Sequence, residues 1–221
     1  MNKIIVNDEI KKLLPNLILG IMEVEVTTQP TSEELMEIIN RQAGELESIL
    51  TPESIREMET VKANKDAYRK LGKDPNRYRP ASEALLRRVA NGKGLYFINN
   101  VVDILNLTSI NTGYSICGYD IDKISGDITF GIGEKDEPYE GIGRGTLNIE
   151  RLPVFRDGIG AFGTPTSDSV RTMVTEETTT FLMIIIGFGN KPNIDKALND
   201  TAKLYQKFAS GKVLTRRLTG A

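Results

Sequence analysis

The feature that most constrains the fold is a change in residue pattern near residue 115. Upstream of it, apolar residues recur mainly at the three- and four-residue spacing of helices. Downstream, short segments rich in β-branched and aromatic residues are separated by Gly, Pro and Asp, as in strands joined by turns: DITFGIG, GTLNIERL, PVFRDGIGAFG and TTTFLMIIIGF. Helical spacing returns in residues 193–210. This order predicts an α+β fold, with a mixed or antiparallel sheet and helices packed on it.

The first part of the chain predicts one strand and two helical segments. Residues 17–28 end in alternating apolar and polar residues, which predicts a strand. Thr31 is expected to cap a helix, with Glu34 at the capping-box position. Thr51–Pro52 starts the next helical segment, which we expect to end at Gly72.

Residues 81–91 and 97–110 predict two more helices, and residues 212–221 are expected to form a tail. The second helix is expected to have one packed face and one polar face: Ile98, Val101, Val102 and Leu105 form the first, and Asn99, Asp103 and Asn106 the second. The run TTTFLMIIIGF is typical of a central strand. We expect a single globular unit, in which an N-terminal strand and helical segment, residues 1–60, packs on a main domain of residues 61–221.

The composition excludes several classes of chemistry. The chain has no histidine, which removes the commonest general base near neutral pH, the usual nucleophilic triads and most transition-metal sites. We therefore expect no metal and no organic cofactor. The single cysteine, Cys117, excludes an internal disulfide and fits a reducing, cytoplasmic location. No apolar run is long enough to cross a bilayer, so we expect a soluble protein that does not contact a membrane.

One local patch is basic although the chain has a net charge of −2. Residues 69–93 contain eight Lys or Arg and two acidic residues, a local net charge of +6. Arg77, Tyr78 and Arg79 place an aromatic ring between two guanidinium groups, which suits phosphate contact and base stacking. With Arg87 and Arg88 they form the candidate RNA-binding set: Arg77, Tyr78, Arg79, Arg87 and Arg88. The alternative interpretation is a solvated helix–loop–helix surface.

Residues 131–146 are rich in glycine but lack both the GK[ST] sequence and the dinucleotide fingerprint. This spacing predicts a glycine-rich hairpin. The same stretch contains four acidic residues, Glu134, Asp136, Glu137 and Glu140, and their spacing matches no cation-binding loop. They are expected to form an exposed turn.

The segment FGTPTSDSVRT, residues 162–172, is unusually dense in hydrogen-bonding side chains. Such a loop can orient a water molecule or a polar substrate, and Arg171 would be available to anchor Asp168. The alternative interpretation is a capped turn that enters a short helix, because Ser and Asp are good N-caps and Pro165 suits a turn. The two interpretations remain open on composition alone.

Several motifs, in order, extend this interpretation: YRKLG, RPASEALLRR, INNVVDILN, GYDIDKI, and PTSDSVRT followed by VTEET. As a set they resemble the editing domain of the phenylalanyl-tRNA synthetase beta subunit, the B-three/B-four module, and more closely the free-standing proteins of that family. The resemblance covers about residues 60–190. It implies an aminoacyl-tRNA deacylase that acts in trans on a mischarged tRNA and binds the tRNA acceptor end.

The resemblance also implies roles for particular residues. Asn106 falls on the asparagine that ends the family motif, where it would hold the amino acid or the attacking water. Cys117 stands where the synthetase has a pocket histidine, and no residue corresponds clearly to the glutamate that senses the phenol hydroxyl of tyrosine. The segment PTSDSVRT would replace the pocket-lining loop, with Asp168 in a catalytic role and Thr166, Ser167, Ser169 and Arg171, together with Cys117, in substrate binding.

Hydrolysis of an activated ester requires a positioned water, amide donors for the developing oxyanion and a proton acceptor. Asp168 or Asp157 could accept the proton only if its pKa were raised toward neutrality, and the terminal ribose hydroxyl of the tRNA is a further relay. Cys117 is a weaker candidate for a covalent nucleophile, because no histidine can activate it. The alternatives to a hydrolase are a non-catalytic module that binds RNA or an amino-acid-like metabolite, and a protein-interaction domain.

Overall fold

The computed structural model describes residues 3–189 and 193–220. The helices within these residues are α1 (Asp8–Leu13), α2 (Glu33–Glu47), α3 (Pro52–Glu57), α4 (Glu59–Leu71), α5 (Ala81–Ala90), α6 (Asn100–Thr112) and α7 (Ile194–Phe208). The strands are β1 (Ile4–Val6), β2 (Ile18–Glu25), β3 (Ser115–Asp120), β4 (Ile128–Ile132), β5 (Glu140–Gly141), β6 (Gly145–Thr146), β7 (Pro153–Arg156), β8 (Ala161–Gly163), β9 (Thr180–Gly187) and β10 (Lys212–Gly220).

The strands form two four-stranded sheets and a two-stranded ribbon. The first sheet has the order β10–β2–β9–β3 and is antiparallel throughout. The second has the order β1–β4–β7–β8 and is mixed, because β1 pairs with β4 in parallel while the other pairs are antiparallel. The predicted α+β class with mixed or antiparallel strands is therefore confirmed.

Two apolar layers hold the sheets in place. One lies between the two sheets and includes Ile184, Tyr119, Phe130 and Phe155. The other lies between the opposite face of the first sheet and the helices and includes Met183, Ile104 and Leu198. Alternate side chains of β9 enter the two layers, so this strand is buried on both faces. Its continuous apolar sequence thus has a physical reason, and its predicted central position is confirmed.

The first 60 residues contribute strands to both sheets. β2 lies inside the first sheet between β10 and β9, and β1 lies at the edge of the second sheet beside β4. Ser32, and not Thr31 as predicted, caps α2, with its hydroxyl accepting a hydrogen bond from the Leu35 amide. The Thr31 hydroxyl instead donates to the buried Asp103 carboxylate.

The segment from Thr51 to Gly72 is two helices and not one. The predicted start is confirmed, because Thr51 and Ser54 form a reciprocal capping box. Gly72 ends α4 in the left-handed conformation, with φ 84°, as predicted. Between them the chain leaves helical geometry at Met58, whose ψ of 130° separates α3 from α4.

Two further expectations were wrong. The expected packed and polar faces of the α6 segment are not found as predicted: Ile98 of the packed set is 60% exposed, whereas Asn99 and Asp103 of the polar set are buried. Asp103 is bonded to Thr31 and to the Ile98 amide. Residues 212–220 are not a tail but the edge strand β10, which pairs with β2 along its length. The backbone hydrogen bonds with β2 stabilise this strand, although its sequence alternates poorly between apolar and polar residues.

The glycine-rich stretch forms the predicted hairpin, as the ribbon of β5 and β6. The acidic residues beside it lie in an exposed turn, as expected, except that Glu137 pairs with Arg156 at 2.6 Å. In the described part of the chain no helix is long and apolar enough to cross a membrane.

Candidate functional site

The loop from Thr164 to Ser169 crosses the outer edge of β3. The Gly118 amide of β3 donates to Asp168 Oδ2 at 3.2 Å. The Asp168 carbonyl accepts from the Ile142 amide at 2.9 Å, and the Ser169 amide donates to the Phe162 carbonyl at 3.0 Å. The loop is therefore fixed at three points, and Asp168 is placed where the first sheet, the second sheet and the β5–β6 ribbon meet.

Most hydroxyl groups of this loop serve the fold. Thr164 Oγ1 accepts from the amides of Thr166 and Ser167 at 3.0 and 3.1 Å. The Ser169 hydroxyl caps the short 3₁₀ turn Val170–Thr172. Thr166 Oγ1 contacts the Tyr68 hydroxyl at 2.8 Å and donates to the Tyr78 carbonyl at 3.1 Å. The capped turn anticipated from the sequence is present, and it occupies the hydroxyls of Thr166 and Ser169.

The carboxylate of Asp168 differs from these groups. The residue as a whole is half-buried, but its Oδ1 atom has no contact with solvent and no hydrogen-bond partner of standard geometry among the described residues. Burial raises the pKa of the Asp168 carboxyl to about 7, against the opposing effect of the Gly118 amide. A carboxyl with this pKa exchanges a proton near neutral pH, which is the requirement for a general acid or base.

Cys117 and Tyr119 lie beside Asp168 because alternate residues of β3 share a face. Burial, followed by the Asp168 charge, raises the pKa of the Cys117 thiol and of the Tyr119 hydroxyl well above their usual values. Neither group supplies an anion near neutral pH. The Tyr119 hydroxyl has no hydrogen-bond partner of standard geometry among the described residues, and it packs so closely on Gly163 that any Cβ there would overlap it.

Arg171 does not anchor Asp168, and this expectation was wrong. Its guanidinium binds both oxygens of Asp157, at 2.9 and 3.0 Å. Burial alone would raise the pKa of Asp157, but Arg171 and three backbone amides lower it below its ordinary value. Asp157 is thus a fully ionised structural partner, which removes it as a candidate base.

Asn106 lies on α6, the helix that packs against β3 through Leu105. It is half-buried on α6, and its neighbour Leu105 packs directly on Gly118. No hydrogen bond joins Asn106 to Asp168 within residues 3–189. The structure therefore places Asp168 on Gly118 and does not bring Asn106 into contact with it among the described residues.

The basic stretch lies beside the loop. The Ala81 amide at the start of α5 donates to the Pro165 carbonyl at 2.8 Å, and the Tyr78 carbonyl accepts from Thr166. Arg77 and Arg79 are exposed, and Lys73 lies 3.8 Å from the centre of the Tyr78 ring. Cationic groups therefore reach the surface next to the segment that holds Asp168.

The other two predicted RNA-binding residues are engaged within the chain. Arg87 binds the buried carboxylate of Glu83 at 2.8 Å, which Lys65 and Arg79 also approach. The Arg88 guanidinium stacks on Tyr96. Arg87 is thus held by an acid already included in the local charge, whereas Arg88 keeps its charge beside a neutral ring.

An open cleft of about 500 Å³ adjoins the loop. Two predicted substrate-binding residues, Ser169 and Arg171, line this cleft together with Tyr139, Glu140 and Ile159. The Tyr139 hydroxyl donates to the Ser167 carbonyl at 2.7 Å. Tyr139 therefore separates the cleft from the buried side of the loop.

Comparison with family models gives a match to the B3/4 domain over residues 63–208. The chain belongs to the B3/4 domain family. A search of curated proteins gives no match. Among solved structures, the chain is similar to an N-terminal fragment of the phenylalanyl-tRNA synthetase beta subunit from Pyrococcus horikoshii, with a TM-score of 0.49 and 15% identity. The alignment covers 99% of this chain and 54% of that one, so the chain spans about half the length of the fragment.

Sequence reasoning missed three tyrosines around the centre of this B3/4 domain. Tyr119 is the strongest omission, because it follows Cys117 by two residues on a predicted strand and must share its face. Tyr68 and Tyr139 come from distant segments, and burial raises the pKa of both hydroxyls. Among the residues with described positions, no three Cys, Asp or Glu side chains cluster as metal ligands would.

Proposed function

We propose that this B3/4 domain hydrolyses a mischarged aminoacyl-tRNA ester in trans, with Asp168 as the general base. The observation that carries the proposal is the Asp168 carboxyl, which is buried, has one unpartnered oxygen and has its pKa raised to about 7. The chain has no histidine, so this carboxyl supplies the proton acceptor that the reaction needs.

In the proposed step, the bound substrate displaces Tyr139 so that water reaches Asp168 Oδ1, which takes a proton from it while the water oxygen attacks the ester carbonyl carbon. The tetrahedral intermediate then expels the ribose oxygen of the tRNA, which receives the proton from Asp168. The products are the free amino acid and the uncharged tRNA. Gly118 contributes by holding Oδ2 through its amide, which leaves Oδ1 to act on the water.

Asn106 would orient the attacking water or the amino group of the substrate from the α6 side of Gly118. The side-chain amide can donate and accept hydrogen bonds, which suits a positioning role without proton transfer. Of the predicted substrate-binding residues, Ser169 and Arg171 line the adjoining cleft, whereas Cys117 is buried beside Asp168.

The basic stretch supports the RNA part of the proposal. Arg77 and Arg79 are exposed beside the loop, and the backbone of Tyr78 and Ala81 is hydrogen-bonded to it. A phosphate bound at these guanidinium groups would lie next to the loop that holds Asp168. The acceptor end of a tRNA is the partner with both the phosphates and the ester.

The test is a deacylation assay with a panel of correctly and incorrectly charged tRNAs, including tyrosine on the phenylalanine tRNA. Ester loss is measured against the uncatalysed rate for the wild type, Asp168→Asn and Asn106→Ala. Asp200→Asn is the matched control, because Asp200 is a surface carboxylate on α7 paired with Lys196. We expect selective turnover that Asp168→Asn abolishes and Asp200→Asn retains.

A folded protein with no turnover on any charged tRNA would reject the hydrolase. The occupied hydroxyls of Thr166 and Ser169 favour the second candidate, a module that binds RNA or an amino-acid-like metabolite without catalysis. Calorimetry with uncharged tRNA and with free amino acids would then identify the ligand.

A further inference from the structure

Three consecutive large apolar residues are exposed in the segment between α5 and α6. Tyr96, Phe97 and Ile98 have 60%, 40% and 60% of their surface exposed. The segment is anchored on both sides, because Leu95 is buried and the Ile98 amide donates to Asp103 Oδ1 at 3.0 Å. The fold therefore holds these three consecutive side chains, the exposed patch, on the surface, where a partner can contact them.

Arg88 makes this patch cationic as well as aromatic. Its guanidinium carbon lies 3.6 Å from the centre of the Tyr96 ring, and its Nη1 donates to the Tyr96 hydroxyl at 2.9 Å. Arg88 Nε has no hydrogen-bond partner among the described residues. Lys93, in the turn after α5, is exposed. The nearby acid is Glu47, whose carboxylate approaches Gly92.

We propose that Tyr96, Phe97 and Arg88 form a stacking platform for an unpaired nucleotide of RNA. An aromatic ring beside a planar guanidinium offers flat surfaces to a base, while Arg88 and Lys93 supply positive charge for the adjoining phosphates. Protein interfaces also use aromatic residues and arginine, but the two cations beside the rings, Arg88 and Lys93, complement the phosphates of RNA. The observations therefore favour single-stranded nucleic acid as the occupant.

Helix α5 connects this platform to the loop that holds Asp168. The first residue of α5, Ala81, is hydrogen-bonded to Pro165, and Arg88 lies seven residues later. At about 1.5 Å per residue, the two points are about 10 Å apart along the helix axis. A single-stranded 3′ end that contacts the platform could thus reach the loop, and this placement rests on the proposed function.

The experiment measures the affinity of the full chain for a fluorescein-labelled single-stranded RNA of about twelve nucleotides, by fluorescence anisotropy. We expect Tyr96→Ala and Phe97→Ala each to weaken binding about tenfold. Tyr96→Phe keeps the ring and should bind like the wild type, whereas Tyr96→Leu keeps apolar bulk without a flat ring and should bind like Tyr96→Ala. Leu218→Ala, an exposed apolar residue on β10, is the matched control with no change expected.

Charge is tested separately from stacking. Lys93→Gln should lower the slope of log affinity against log salt by about 0.7, while Tyr96→Ala should leave the slope unchanged. Thermal unfolding of each variant checks that the fold is retained. Unchanged affinity in both alanine variants, full affinity in Tyr96→Leu, or no binding by the wild type would overturn the platform, and a protein-docking surface would become the better interpretation.

Failure of the platform and failure of the proposed hydrolase are distinguishable. The labelled RNA carries no aminoacyl ester, so Asp168→Asn should bind it like the wild type. Retained binding without turnover of charged tRNA would reject the hydrolase alone. Turnover that survives in Tyr96→Ala with unchanged RNA affinity would reject the platform alone.

Discussion

Asp157 and Asp168 lie in the same region of the molecule, with the Asp157 side chain and the Asp168 Oδ1 atom buried, yet they have opposite properties. Asp157 is bound by both nitrogens of Arg171 and by three backbone amides, and its pKa is lowered. The one bond of standard geometry that the Asp168 carboxylate accepts is from the Gly118 amide, and burial outweighs this and the weaker contacts from Tyr119, Cys117 and the Thr164 amide, so the pKa is raised to about 7. Both carboxyls accept hydrogen bonds that lower their pKa, but a guanidinium offsets the burial of Asp157, whereas no ion pair within the described residues offsets that of Asp168.

The difference between the two aspartates should have its largest effect on the rate of deacylation. Asp168→Asn should slow deacylation about 100- to 1000-fold, because an amide cannot accept the proton from water. Asp157→Asn should change the rate by less than about tenfold, because Asp157 holds Arg171 and does not meet the water. Single-turnover hydrolysis of a charged tRNA measures both variants. Equal losses in the two variants would mean that Asp168 acts through the structure of the loop.

Gly163 tests how tightly the residues around Asp168 are packed. A Cβ at position 163 would overlap the Tyr119 hydroxyl, so Gly163→Ala should lower the free energy of unfolding by about 3 kcal/mol. Adding Tyr119→Phe should restore part of this loss, since it removes the overlapping oxygen. Urea denaturation of the two single variants and the double variant gives the coupling. Full additivity would show that the strand moves to relieve the contact.

The sequence predicted the elements better than the contacts between them. The apolar run of β9 and the glycine at the end of α4 follow from local patterns, because burial on both faces and a left-handed cap each require particular residues. Arg171 pairs with Asp157 and not with Asp168, although Asp168 is closer in the sequence. This pairing depends on how the β7–β8 hairpin packs against the loop. Local spacing carries no information about that register.

The sequence indicated that Asp168 needs a raised pKa to act as a base, but it could not predict that the pKa is raised. It depends on burial beneath Tyr119 and Tyr139, which come from separate strands and loops. Strand β10 was not predicted for a related reason. Its sequence does not alternate regularly between apolar and polar residues, and its pairing with β2 determines that it is a strand. In both cases tertiary packing determined the outcome.

The pH dependence of stability should have opposite signs for the two aspartates. In the unfolded chain Asp168 loses its proton near pH 4, whereas in the folded chain it does so near pH 7, so its contribution to stability falls as pH rises through this window. Asp157 has a lowered pKa when folded, so its contribution is present above its ordinary pKa and is lost as pH falls below it. Partial exposure of Asp168 reduces the expected loss to about 2 kcal/mol.

Urea unfolding of the wild type, Asp168→Asn and Asp157→Asn at several pH values measures these slopes. Asp168→Asn should remove the decline between about pH 4 and pH 7 and leave the acid limb intact. Asp157→Asn should do the reverse. A decline that persists in Asp168→Asn would place the responsible carboxyl elsewhere.

The smallest expected effect concerns two buried tyrosine hydroxyls that differ in the same way as the two aspartates. The Tyr68 hydroxyl is paired with Thr166 at 2.8 Å, whereas the Tyr119 hydroxyl has no partner of standard geometry in the described part of the chain. Tyr68→Phe should therefore cost about 1 kcal/mol, because it leaves Thr166 with one fewer contact. Tyr119→Phe should be neutral or stabilising by up to about 1 kcal/mol, because the contacts of this buried hydroxyl with Asp168 and Cys117 fall outside standard hydrogen-bond geometry and compensate its burial poorly. Chemical denaturation compares the two variants directly, and a larger loss in Tyr119→Phe than in Tyr68→Phe would show that the Tyr119 hydroxyl is hydrogen-bonded to Asp168 in solution. In that case Tyr119 would stabilise the charged carboxylate, and the pKa of Asp168 should rise further in Tyr119→Phe.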